Sequence, residues 1–267
     1  DPLGIQPIWT RLGRHVVGNV TTVSDSLRDF TVLLIGLYLA DREAGQSGAG
    51  ADLGTFLRWE QLCAYARATV NNDWNFRGVE QVRKRLGKAS TVVLSREEPI
   101  LSDQKTYGLW GLYTMPARSS GLVRIDTNSL MPDAADFVEQ KYARRFSEQG
   151  FKIDKVRALL AIDSRRLQLA GKDGLLVETV ASLLKREQMQ PGEPHFYREH
   201  LLFGGPNDPT HGGQQRLANL LSNTLNDTAF VLSPVTIKKL ANGASKAGDP
   251  KLAHHLDDIR IADALLG

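Results

Sequence analysis

Three groups of side chains in this sequence have the types that catalysis uses. Asp133, Glu139 and Lys141, set in Met131-Pro132-Asp133 and Glu139-Gln140-Lys141, match in residue type the carboxylates and E-x-K step with which a nuclease holds a divalent ion and positions water. That chemistry needs both carboxylates on adjoining strands, converging on one metal. The intervening Ala134-Ala135-Asp136-Phe137-Val138 reads as helix, which points them apart, and Asp133 then reads as an acid in a first helical turn. His254, His255, Asp257 and Asp258 form HHLDD, the doublet of a metal phosphohydrolase without its separate upstream and downstream ligands. His195 and His200 stand five apart, not at the four-residue spacing that places two ligands on one helical face. Gly204-Gly205-Pro206 and His211-Gly212-Gly213 lack the Lys-Ser/Thr pair and the preceding strand of a phosphate loop, and are expected to form a partner-facing loop instead.

Binding chemistry is better represented. Between Arg58 and Arg124 there are eleven bases against six acids, a net +5, which leaves −2 for the rest of a chain whose formal charge is +3. Bulk charge therefore does not suit nucleic acid, and any contact must come from a local patch. Arg77, Arg83, Lys84, Arg85 and Lys88, with Arg118 and Arg124 further on, are the expected nucleic-acid-binding residues, each neutralised phosphate adding about one unit of log–log salt slope. The competing reading is a solvated helix face with bases near its C-terminus. Tyr107, Trp110 and Tyr113 recur at three-residue spacing and are the expected partner-binding aromatics; base stacking and ordinary core are the other uses of such a stripe. Trp9 and Trp59 lie on regular amphipathic stripes and are expected in the core.

The elements that must position these groups read as mostly helical. Ile5, Ile8, Trp9, Leu12 and Val16 give a first helix, and Leu27, Phe30, Leu34 and Leu37 a second, with Thr21 to Ser24 expected to cap it. Small and glycine residues from Ala44 to Gly54 mark a loop. Phe56, Trp59, Leu62, Cys63 and Ala66 then share a stripe, Val79, Val82 and Leu86 another, and Gly87 stops it. Thr91 to Leu94 reads as a strand, Tyr107 to Ser120 as a helix broken near Pro116, and Gly121 to Ile125 as a second strand. Beyond Pro132 the reading is helical, Leu167 included, with a looped break from Gln190 to Gly213 and interruptions near Pro234 and from Gly243 to Pro250.

Helix, helix, short strand, helix, strand is the order of a winged helix-turn-helix. The window GLWGLYTMPARSSGLVRIDTNSLMPDAADFV, Gly108 to Val138, resembles the recognition helix, wing and exit helix of bacterial winged-helix proteins, although a second wing strand between Asp126 and Leu130 is almost absent. The opening DPLGIQPIW, NVTTVSDSLRDF and GLWGLYTMPARSSGLV are also similar to accessory proteins of bacterial anti-phage defence gene neighbourhoods. That resemblance implies an accessory subunit working with an ATPase, helicase or nuclease partner.

The expected fold is mainly α, a helical bundle with an embedded winged helix-turn-helix-like module and a small β wing. The expected boundaries are an N-terminal helical segment over 1–54, a winged-helix-like domain over 55–150 and a helical domain over 151–267. The longest apolar run, Val32 to Ala40, is far short of the roughly 20 residues of a spanning helix, so no membrane contact is expected. No basic stretch leads from Asp1-Pro2-Leu3-Gly4 into an apolar segment, and Cys63 is the only cysteine, which excludes a disulfide framework; a cytoplasmic location is expected. The expected function is binding without catalysis or cofactor: a subunit that docks a protein partner in a larger complex and touches double-stranded DNA. The alternatives are a metal-dependent nuclease or phosphohydrolase, and a purely structural interaction subunit.

Overall fold

Several helices begin where a short polar side chain takes up an otherwise unpaired backbone N–H. Ser26 accepts from Asp29 N at the start of α2 (Leu27–Ala40), Asp52 from Thr55 N at α3 (Leu53–Thr69), Asp103 from Thr106 N, and Ser233 from Thr236 N. The cap of α2 is thus Ser26, while Thr21 and Ser24, expected in that role, bond to each other in the preceding turn. The computed structural model describes residues 5–41, 50–225 and 230–266, so most of the glycine-rich stretch from Ala44 lies outside the described residues. So does the side chain of Trp9.

The molecule is mainly helical with one small antiparallel sheet. After α1 (Ile5–Gly13), α2 and α3 come α4 (Val79–Leu86), β1 (Thr91–Leu94), α5 (Gln104–Tyr107) and α6 (Leu109–Ser119). There follow α7 (Pro132–Val138), a π-helical turn at Glu139–Ala143, α8 (Arg144–Glu148), α9 (Ile153–Ala161), β2 (Arg165–Gln168) and α10 (Gly174–Leu183). The chain ends with α11 (Glu193–Tyr197), a second π-helical turn at Arg198–Leu202, α12 (Gly213–Thr224), α13 (Pro234–Lys246) and α14 (Pro250–Leu266). Among the described residues no helix is long and apolar enough to cross a membrane.

The chain divides into two units. The larger comprises Thr21–Arg118 and Leu122–Pro194, and α3 is its axis, buried from Gly54 to Ala68. A helix apolar on most of its faces must be covered on most of its faces, and α2, α9, α10 and β1 all pack on α3. Where α2 meets α3 the approach is close because Gly36 has no side chain: a Cβ there would stand 2.5 Å from the Trp59 ring. Trp59 is fully buried, as expected of its stripe, and its indole N–H donates to the Val32 carbonyl at 2.9 Å.

Several segments differ from the sequence expectation. Leu167 sits on β2 rather than a helix and pairs with Val92, so β1 finds its partner more than seventy residues on. Two arginines in a four-residue strand hide the β-branched signature on which a strand reading rests. The stretch from Gly121 to Ile125 forms only the bridge Val123↔Leu130, closed by Arg124 N to Ser129 O and Met131 N to Leu122 O. Helix α6 runs through Pro116 to Ser119, the proline costing that turn an N–H without ending it. Pro234 opens α13 at a position where no N–H is needed, and α13 continues through Gly243.

The smaller unit comprises Asp1–Val20, Ser119–Gly121 and His195–Gly267. Its core is Val16, Leu217, Ile237, Leu240, Ala241, Ala244, Leu252 and Leu256, from the turn after α1 and from α12, α13 and α14. Helices α13 and α14 form a hairpin turned at Gly248, which adopts φ +79°. A buried polar cluster ties the segments: Asn19 Nδ2 donates to Ser120 Oγ and to the carbonyls of His200 and Leu201, and Gln214 Nε2 donates to Asn19 Oδ1.

Candidate nucleic-acid interface

The basic segment is built outward from Arg67, a buried residue of α3. Its Nη1 stands 3.0 Å from Asp29 Oδ1, its Nε 2.8 Å from Asp73 Oδ2, and its Nη2 donates to the Asn75 carbonyl at 2.7 Å. The guanidinium fork therefore fixes the loop between α3 and α4 at two points. Asn71 adds a third, donating to the Ala181 carbonyl at 2.7 Å. Within this loop the Trp74 indole N–H donates to Asn72 Oδ1 at 2.8 Å, and the Trp74 and Phe76 rings lie 6.4 Å apart and 25° from parallel. Gly78, at φ +85°, turns the chain into α4, where a Cβ would stand 2.6 Å from the Ile100 carbonyl oxygen.

On α4 and in the residues flanking it the cations separate by role. Arg83 is exposed, pairs with Glu80 at 3.2 Å and covers the Trp74 ring with its guanidinium 4.9 Å from the centroid. Lys84 and Lys88 are exposed. Arg85 turns inward: it donates to the Tyr65 hydroxyl at 3.1 Å and to the carbonyls of Glu98 and Pro99 at 2.8 and 3.1 Å. Arg77 is half-buried, with Nη2 3.5 Å from the Val23 carbonyl. Arg118 donates to Asn128 Oδ1, and Arg124 stands 3.6 Å from Asp126. The seven expected cations thus divide into an α4 group and a pair engaged with the turn between Val123 and Leu130. Trp74, Phe76 and Arg186, which meets the Asn75 side chain once that amide is turned oxygen-first, belong beside the α4 group, and the sequence reading passed over them.

The three aromatics read as one stripe do not share a helix. Tyr107 ends α5, Gly108 is extended, and α6 starts at Leu109. Tyr107 is 56% exposed. Trp110 is half-buried with its ring edge-on to Phe56 at 5.1 Å. Tyr113 is 1% exposed, donates to Asp29 Oδ2 at 3.4 Å and packs edge-on against Phe30, so it is core. Burial and the neighbouring Asp29 carboxylate push its hydroxyl pKa up.

Below the loop lies Glu60, buried in α3, whose Oε1 accepts from Leu109 N and Oε2 from Gln104 Nε2, both at 2.7 Å. Burial outweighs those two hydrogen bonds and pushes its carboxyl up to about 7. Burial likewise raises Asp29 despite Arg67, and raises the Cys63 thiol well above its ordinary value.

The groups with catalytic residue types are dispersed. Asp133 lies exposed in the first turn of α7, while Glu139 opens the π-helical turn six residues on and accepts from the Tyr38 hydroxyl at 3.2 Å; Lys141 follows in that turn. Asp257 is engaged by Lys238 and Arg260, each at 3.0 Å, and His254 stands 3.5 Å from Asp258. His195 stands 3.8 Å from Glu199, and His200 Nδ1 lies 3.1 Å from the Ser120 carbonyl. Among the described residues no three His, Cys, Asp or Glu side chains are grouped to hold a metal ion. A cavity of roughly 520 Å³ between α2, α3 and α9 is lined by Arg58, Arg96 and Arg157, of which Arg58 is engaged with Asp163 at 2.9 Å and Arg157 with the Tyr38 carbonyl at 3.0 Å.

Comparison with protein-family models, with curated proteins and with solved structures finds no match for this chain.

Proposed function

We propose that this chain is a non-catalytic binding subunit that contacts a DNA backbone through α4 and docks a protein partner in a larger assembly, of the kind that works with an ATPase, helicase or nuclease in anti-phage defence. The observation that carries the reading is the Arg83 guanidinium over Trp74, with Lys84 exposed on the same short helix and Lys88 exposed just beyond its end. Cations beside an aromatic face neutralise phosphate and offer a surface on which a base stacks. The order α3, α4, β1, α6 and the 122–131 turn supports a winged-helix-like module with Arg124 on its wing, although β1 pairs with β2 and the wing has a single bridge. Exposed Tyr107 is the aromatic placed to anchor a protein partner.

The test replaces Arg83, Lys84 and Lys88 together by alanine, sparing Arg85 because it holds the interior. Binding to unrelated duplex and single-stranded oligonucleotides, measured across salt concentrations, is expected to weaken on all sequences and to lose about three units of log–log slope if each cation neutralises one phosphate. Unchanged affinity and slope remove α4 from the site.

A further inference from the structure

The smaller unit contains a second concentration of positive charge. The turn after α1 brings Arg14 and His15, α12 brings Arg216, and α14 brings Lys251 and His255 to the wall of one cavity of roughly 300 Å³. That volume is at the lower end of ligand pockets, suited to a small polar group rather than an extended molecule. One carboxylate, Asp249, lines it, and that carboxylate is already held by the Arg216 side chain and by Leu252 N at 2.9 Å. Arg14, Arg216 and Lys251 against Asp249 leave +2 with both imidazoles neutral, and +4 with both protonated.

The sequence accounts for the shape. Asp208 gathers the loop by accepting from Thr210 N and Gly212 N at 2.8 and 2.7 Å. Gly212, at φ +85°, then turns directly into α12, and the Arg216 guanidinium lies over it, 3.0 Å from where a Cβ would be. The His211-Gly212-Gly213 segment therefore does not act as a phosphate loop of backbone N–H groups. Gln214 N is taken by Thr210 Oγ1, and Leu252 N by Asp249, so recognition falls to the side chains.

We propose that this pocket binds a phosphate group, free or as the monoester end of a nucleotide, through Arg14, Arg216 and Lys251, with the His15 and His255 rings at its wall. A fork and two further cations around a small cavity match the compact charge and many acceptor oxygens of phosphate. The two rings are 4.9 Å apart, and His255 Nδ1 is buried with no hydrogen-bond partner among the described residues. Burial first, then His15, Lys251 and His254, hold the His255 pKa below its ordinary value, opposed only by Asp258. A phosphate dianion opposes that balance by favouring the charged imidazole, so its binding raises the His255 pKa.

The proposal stands apart from the α4 reading, and its experiment keeps the two distinct. In the full chain, the histidine Cε1–H resonances are followed by NMR as inorganic phosphate is added, at pH 6 and pH 8. A saturable shift at His15 and His255 is expected, absent with chloride at equal ionic strength, with the His255 pKa moving up on saturation. Arg14→Ala with Lys251→Ala, both exposed side chains, is expected to weaken phosphate binding by at least about tenfold without lowering Tm. Arg83→Ala, Lys84→Ala and Lys88→Ala should leave the shift unchanged. Adenosine monophosphate binding more tightly than inorganic phosphate assigns a nucleotide; equal affinity assigns the phosphate group alone. No saturable shift, equal shifts with chloride, undiminished binding by the double variant, or adenosine binding as well as its monophosphate would each overturn the proposal.

Discussion

Arg67 Nη1 stands 3.0 Å from Asp29 Oδ1 inside the larger unit, and the same guanidinium holds Asp73 and the Asn75 carbonyl. One buried side chain thus joins the core to the loop that presents Trp74. Removing it leaves Asp29 buried with its main counter-charge gone, and breaking a buried pair costs about 3–5 kcal/mol. Arg67→Met is therefore expected to lower unfolding free energy by that order in urea denaturation, and Arg67→Lys, which keeps the charge but not the fork, by less. Equal losses for Met and Lys would show that the fork, not the charge, does the holding.

How much of this was legible from the sequence varies by element. The helices α2, α3 and α4 and the strand β1 carry their periods and stops locally, and appear where those signals place them. Strand β2 does not, because its stability comes from Val92 and its neighbours more than seventy residues earlier. The association of residues 1–20 with the C-terminal helices is likewise long-range and leaves no shift in composition. In the candidate interface, exposure of Arg83 and Lys84 followed from the polar face of a short helix, and that of Lys88 from its place beyond the Gly87 stop. The inward turn of Arg85 did not, since its acceptors are carbonyls thirteen and fourteen residues away. The aromatic stripe failed at Gly108, whose extended backbone separates Tyr107 from Trp110 and Tyr113.

Glu60 makes stability depend on pH. Its carboxyl is raised from 4.5 to about 7, so between those values the folded state holds a proton that the unfolded state has released. Its contribution to stability is therefore greatest below pH 4.5, falls as pH rises and levels off above about 7. Glu60→Gln cannot ionise. The unfolding free energy of the variant minus that of the wild type should grow more positive by about 2 kcal/mol from pH 5 to pH 7.5. A pH-independent difference would mean that Glu60 titrates normally, its two 2.7 Å hydrogen bonds having offset burial.

Tyr107 and Tyr113 should behave oppositely. Tyr113→Phe removes a buried hydroxyl that bonds Asp29, at a cost of about 1 kcal/mol, without changing association with a partner. Tyr107→Ala removes a ring that is 56% exposed and should leave Tm near that of the wild type. If Tyr107 anchors a partner, the same variant weakens co-purification with it; a fall in Tm as large as that of Tyr113→Phe would instead make Tyr107 structural.

Arg83 and Arg85 are two residues apart on one helix and differ in what they touch, which makes them a paired test of the interface. Arg85 makes three hydrogen bonds, to the Tyr65 hydroxyl and to the carbonyls of Glu98 and Pro99, and its loss removes all three, those to Tyr65 and Pro99 being part-buried. Arg85→Ala is expected to lower stability by about 1–3 kcal/mol. Arg83, exposed above Trp74, has one surface ion pair, and its removal should shift stability by no more than about 0.5 kcal/mol. In DNA binding the order reverses: Arg83→Ala removes about one unit of salt slope, and Arg85→Ala, measured where it is fully folded, removes none. Equal slopes for the two variants would place the phosphate contact off the outer face of α4, because the geometry leaves only Arg83 of this pair free to meet it.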